Sequence, residues 1–204
     1  MMIRYRKTYR CVVEGQQEQL YLKHLGKLLS RFPDIVVTFN TSIGNAYELT
    51  KSYEEYDKAC LFDFDFNERE FVDNLSICAK LNNQRKKQKY KVYHAYSNVC
   101  FDLWLLLHKT EYFRSVTSNN AYIRDVIKAY ELPDEADIKN EKIINTMLNE
   151  ITLDDVKTAI LNAKTIRSRK LPVDVHRINN IEYYDNPDFS LDAFIEMVIN
   201  DVPK

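Results

Sequence analysis

Residues 58–66 read KACLFDFDF: an apolar, strand-like run that breaks into two aspartates, Asp63 and Asp65, just ahead of a helix-like segment reaching about Asn82. A short apolar run of this kind predicts a strand buried on both faces of a parallel sheet. Asn67 or Asp65 supplies a cap for the helix that follows. The same pattern stands upstream. Residues 8–14 (TYRCVVE) predict a first strand that hands over at Glu14. The helix after it runs from Gln16 to about Arg31, with Leu22, Leu25, Leu28, Leu29 and Phe32 at helical spacing and Pro33 as its stop. Ile35 to Phe39 predicts a second strand, and Ala46 to Tyr56 a helix. Downstream, the basic loop QRKKQK (84–89) leads to a fourth strand, Tyr90 to Tyr96, and a very apolar helix from about Cys100 to His108. Strands alternating with helices imply an α/β fold, a mostly parallel four-stranded sheet flanked by helices.

Beyond Thr110 the pattern changes. Helices are predicted at about 119–130, 138–148, 152–169 and 190–200, punctuated by Pro133, Pro172 and Pro187. Residues 1–110 therefore read as an α/β core, and 111–204 as an all-helical half packed on it, one domain overall. There is no internal repeat.

The composition narrows the function. With 45% hydrophobic and 29% charged residues, the 204-residue chain has material for a core and a solvated surface. It has three glycines, and neither GxGxxG nor GxxxxGK[ST] occurs, so a Rossmann fingerprint or a P-loop ATPase is not supported. The net charge of −1 and pI near 6.4 mean that any nucleic-acid binding comes from local clusters. Cys11, Cys60, Cys78 and Cys100 lack CxxC pairing and sit among apolar residues, which predicts buried reduced thiols rather than a zinc ribbon. No signal-peptide-like stretch precedes the first strand, and the apolar run near Val99–Leu107 is interrupted by Asp102 and too short to span a bilayer. The expected location is the cytoplasm.

The chemistry centres on the strand ends. In an open parallel sheet, ligands bind at the carboxyl edge of the strands, where Glu14, Asp63 and Asp65 fall. Asp63 and Asp65 are two apart and leave an extended chain on one face. If the first and third strands are neighbours, three carboxylates converge. Such a cluster is repulsive until a cation sits in it, and oxygen ligands suit Mg²⁺ or Mn²⁺. A plain helix cap and a solvated turn acid explain the same residues more simply from spacing alone, since an acid pair at a strand end is common.

Three segments add a resemblance. VVEGQQEQLYLKHL (12–25), LFDFDF (61–66) and AYSNVCFDLWLLLH (95–108) resemble, in order and spacing, three blocks of the RloB family: an EG-TE-Y block, a D-x-D block and an SNPCFE block followed by a hydrophobic LLH run. The tail, HRINNIEYYDNPDFSLDAFIEMV (176–198), is similar to that family's C-terminal NPST block and helix. The resemblance implies a Toprim-like fold with Glu14, Asp63 and Asp65 as Mg²⁺ ligands. It also implies a nuclease of phage defence, acting on RNA (tRNA included) or DNA, and an ATPase partner. The chain departs from the pattern at Gln17, where threonine is usual, and at Phe64, often arginine. Val99 and Asp102 replace the proline and glutamate of SNPCFE.

Other candidates carry paired readings. Glu18 either joins the catalytic site or acts there as a general base, or serves the helix dipole, and Asp102 invites the same choice. Ser97 and Asn98 predict the N-cap of the fourth strand's following helix, where free N–H groups also suit phosphate. His94, Cys100 and His108 fit no zinc spacing, and His24 and His176 carry no assignment. Among basic residues, Arg85, Lys86, Lys87, Lys89 and Lys91 read as solvated surface. Lys164, Arg167, Arg169, Lys170 and Arg177 are the candidates for binding nucleic acid, with Tyr183 and Tyr184 for stacking on bases. The leading expectation is a metal-dependent nuclease. The alternative is a non-catalytic sensor or regulatory subunit docked on its ATPase.

Overall fold

The computed structural model describes residues 5–31, 34–84 and 89–203. Its first half follows the hydrophobic pattern: β1 (Tyr5–Val13), α1 (Gln16–Leu29), β2 (Ile35–Ile43), α2 (Tyr47–Thr50), β3 (Asp57–Asp63), α3 (Glu68–Asn83), β4 (Val92–Asn98) and α4 (Phe101–Leu107). Alternate residues of the central strands enter opposite layers. Tyr9, Cys11, Val13, Ala59, Leu61 and Ala95 join one apolar cluster, while Val12, Cys60, Phe62, Val92 and Tyr96 join the other. Both faces are thus covered, the arrangement that parallel strands require. Phe32, Pro33 and the loop residues Arg85, Lys86 and Lys87 lie outside the described residues.

Several expectations need correction. The helix predicted over 46–56 is a single turn: Tyr53 and Tyr56, which follow Leu49 at helical spacing, stay exposed, Tyr53 at 95%, and bury no face. The second half is not all-helical. A 3-10 turn at Asn119–Tyr122, α5 (Ile123–Ala129), α6 (Glu141–Asn149) and α7 (Leu153–Ser168) are followed by β5 (Val175–Ile178), β6 (Ile181–Tyr184) and β7 (Asp188–Phe189), then α8 (Leu191–Asp201). β5 and β6 form a hairpin about Asn179, whose φ of 56° is one that asparagine tolerates. β7 joins the main sheet, which has five strands in the order β2-β1-β3-β4-β7.

β1, β2, β3 and β4 pair in parallel and β7 runs antiparallel to β4, with Ser97 opposite Phe189 and Asn98 opposite Asp188. Ser97 and Asn98 therefore belong to β4 and are not a helix cap; Cys100 holds that place. The larger cluster sits under α1 and α4–α8, with Trp104, Tyr21, Phe101 and Phe194 fully buried. The smaller sits under α2, α3 and the hairpin. Each such aliphatic or aromatic side chain contributes about 1.5–3 kcal/mol of burial free energy. All four cysteines are buried and free.

Candidate metal centre

Strand register decides the geometry of the acids. β1 and β3 are parallel neighbours with Val13 opposite Leu61. Glu14, one residue past β1, and Asp63, the last residue of β3, therefore leave adjacent strands at the same edge. α1 packs in the larger apolar layer and α3 in the smaller, so the chain parts to opposite faces at this point, where a crevice forms in open α/β sheets. One carboxylate oxygen each from Glu14, Asp63 and Asp65 lies within 4.8 Å of the others. Among the described residues no other group of three or more acids, histidines or cysteines is arranged to hold a metal. They line an open cleft of about 620 Å³ whose rim includes Asn45, Asn67, Glu70 and Asn119.

Backbone donors orient two of the three carboxylates. The Asp63 N–H donates to Glu14 Oε2 at 3.1 Å, and the Phe101 N–H at the start of α4 donates to Asp63 Oδ2 at 3.0 Å. Phe64 and Asp65 both donate their N–H to the Val99 carbonyl, at 3.0 and 3.1 Å. These bonds hold the loop in a conformation it would not adopt alone: Asp65 (φ 45°) and Phe66 (φ 54°) are consecutive left-handed residues without a glycine.

The electrostatics match a cation site. Burial pushes the Glu14 carboxyl up to about 8, and Glu18, Asp65 and Glu70 add repulsion against the favourable Asp63 N–H. Asp63 is raised well above the usual carboxylate range by burial, then by Glu18, Glu14 and Asp65. Burial raises Asp65 too, against the pull of Lys139. Neutral acids make poor use of such an arrangement, and a divalent cation reverses the repulsion. Three hard oxygen donors fit Mg²⁺ or Mn²⁺.

Glu18 stands beside the cluster. It is buried, and its Oε2 accepts the Gly15 N–H at 3.0 Å, closing the first turn of α1. A Cβ added at Gly15 would lie 3.1 Å from that oxygen, so a larger residue there would displace the Glu18 carboxylate slightly.

The family model for RloB-like proteins matches residues 9–190. The chain belongs to the RloB-like family. Comparison with curated proteins and with solved structures gives no match.

Two places where this RloB-like chain departs from the pattern meet at one residue that the sequence did not point to. Lys139 Nζ donates to Asp102 Oδ1 at 2.8 Å and to Gln17 Oε1 at 3.0 Å. Asp102 is buried, and Lys139 is its ion-pair partner. Lys139 comes from an irregular stretch between α5 and α6, 37 residues after Asp102, and no local pattern announces it. Phe64 lines the cleft and packs edge-on against Phe66 and Phe71, at ring separations of 5.9 and 5.3 Å.

The five basic residues expected on nucleic acid all have partners inside this RloB-like chain. Lys164 pairs with Glu196 at 2.6 Å, and Arg177 with Glu182 at 2.8 Å. Arg167 donates to the Phe189 and Glu182 carbonyls, and Lys170 to the Asp185 carbonyl. Arg169 lies 3.5 Å from the Phe113 ring centroid. Tyr183 is buried against Phe71 and His176, so its ring is core, not a base platform. His108 bonds Tyr21 and the Trp104 carbonyl, and His24 the Ile151 carbonyl. Among the described residues, no helix is long and apolar enough to cross a membrane.

Proposed function

We propose that this RloB-like chain is a Mg²⁺- or Mn²⁺-dependent nuclease of Toprim-like fold that hydrolyses phosphodiester bonds of RNA, tRNA included, or of DNA. Its setting is defence against phage, in the company of an ATPase partner. The observation that carries the reading is the convergence of Glu14, Asp63 and Asp65 at the carboxyl edge of β1 and β3. Those three would hold the ion. When bound, Mg²⁺ or Mn²⁺ supplies Lewis-acid polarisation of a phosphoryl oxygen and activation of the attacking water.

The chain's own residues supply position. The Asp63 and Phe101 N–H groups fix the Glu14 and Asp63 carboxylates before substrate arrives, which removes a reorganisation cost from the reaction. The open cleft admits a strand, and Phe64 gives it an apolar wall. Glu18, held by Gly15, sets the first turn of α1 behind the cluster.

The test is incubation of purified protein with small RNA and with plasmid DNA in Mg²⁺ or Mn²⁺, with and without the ATPase, beside EDTA and Asp63→Ala controls. Discrete fragments lost in both controls, with the circular dichroism of Asp63→Ala unchanged, are the expected result. Cleavage by Asp63→Ala would refute the mechanism. A regulatory subunit that docks on the ATPase without cutting draws support from Phe64, which puts an apolar ring where a phosphate-binding cation is usual. Metal binding with intact nucleic acid in every arm would select it.

A further inference from the structure

A second groove, of about 470 Å³, opens beside the metal cleft and shares Asn45, Asn67 and Glu70 with it. Its floor is one stripe of α3, where Arg69, Asp73, Ser76 and Lys80 recur at helical spacing. Its far wall is Tyr47 of α2.

We infer that this groove is a binding track for single-stranded nucleic acid leading to the metal centre, with Arg69 and Lys80 on its phosphates and Tyr47 against an unpaired base. The inference rests on the nuclease reading of that centre. Four observations point to it. Arg69 and Lys80 are exposed and make no ion pair or side-chain hydrogen bond among the described residues, whereas the five cations of the C-terminal half are all engaged. The two sit about 16 Å apart along the helix, room for a short run of nucleotides. Tyr47 remains 56% exposed, and an exposed aromatic ring is a surface on which a base stacks. Asn74, 2% exposed and in the groove lining, has its Oδ1 taken by the Ala46 N–H at 2.9 Å, while its Nδ2 has no acceptor among the described residues. A buried amide donor left unpaired costs free energy that an acceptor on a base or phosphate recovers.

The mixed lining favours a strand over a bare anion. Glu70 and Asp73 stand between the two cations, where they repel a phosphate but accept from a base amino group or a sugar hydroxyl. A duplex hides its base faces, so the ring of Tyr47 selects unpaired nucleotides.

Fluorescence anisotropy with labelled oligo(dT), oligo(U) and a matched duplex, in EDTA to suppress cleavage, reads the track apart from the metal. Wild type binds the single strands more tightly than the duplex, and the oligo(dT) and oligo(U) arms rank DNA against RNA. Tyr47→Ala weakens binding by about tenfold. The double variant Arg69→Ala/Lys80→Ala lowers the slope of log affinity against log salt by about 0.7 for each phosphate no longer neutralised, which a merely misfolded protein does not reproduce. Thermal shifts with Mn²⁺ remain as in wild type for both variants. Wild type that ignores single strands, or variants with wild-type affinity and salt slope, would overturn the track. Cleavage assays on the same proteins separate the two readings: strand binding that needs Tyr47, Arg69 and Lys80 without any cleavage keeps the track and discards the nuclease. Cleavage with unchanged KM in all variants does the reverse.

Discussion

Lys139 shows how much one side chain decides next to an acidic centre. Its ammonium holds buried Asp102 and reaches Gln17, and it pulls against the upward shift of Asp65. Because the lysine side chain is itself about half exposed, its removal is partly relieved by water. Lys139→Met is expected to lower stability by about 1–2 kcal/mol, read from urea unfolding midpoints. His108 makes a second residue-scale case. Its Nδ1–H donates to the Trp104 carbonyl, leaving Nε2 to accept from the Tyr21 hydroxyl at 3.1 Å. That pairing needs the neutral ring, and burial lowers its pKa from 6.5 to about 4. Between those values the unfolded chain binds the proton and the folded chain does not. The His108 contribution is therefore complete above pH 6.5 and is lost as pH falls toward 4, on the order of 3 kcal/mol in all. Raised carboxylates such as Asp192 pull the other way, so the measurement is the difference in unfolding free energy between wild type and His108→Gln from pH 7 to pH 4. A difference that stays flat across this window would contradict the argument.

At the scale of elements, the short strands of the second half are held from outside. β7 has two residues, too few for a stable edge by pairing alone. Asp188 accepts from the Tyr96 hydroxyl at 2.6 Å and the Tyr184 N–H at 2.9 Å, the Ser190 N–H donates to the Tyr96 carbonyl, and Arg167 of α7 donates to both β6 and β7 carbonyls. Arg167 is a staple between a helix and two strands. Arg167→Ala is expected to lower hydrogen-exchange protection in β6 and β7 while β1 and β3 keep theirs. Equal loss across the sheet would show that the staple is not local.

The whole molecule is one core with two layers. The larger cluster runs from Tyr9 to Val198, and Phe194 of α8 packs edge-on against Tyr9 while Phe189 of β7 packs against Trp104. Residues 1–110 alone would expose that layer to water. Expressed by itself, this segment is expected to show no cooperative thermal transition, whereas the full chain shows one. A sharp transition in the fragment would show that the α/β half folds on its own.

The order β-α-β-α-β-α-β, the strand ends at Glu14 and Asp63 and the four helices of the second half were legible in the sequence, because buried strands and amphipathic helices write their periods into the order of apolar residues. The hairpin left a trace as well: VHRINNIEYY alternates about Asn179 and Asn180, a turn signal that the helical punctuation of the region obscures. β7 left none, since two residues have no period. Only the tertiary structure decided that β1 and β3 are neighbours, that Lys139 reaches Asp102, and that the basic residues of α7 are spent on carbonyls and acids while Arg69 and Lys80 have no partner among the described residues. Each of these is a contact between segments far apart in the chain, fixed by strand order and packing, and a linear pattern records what each segment buries but not which partner buries it.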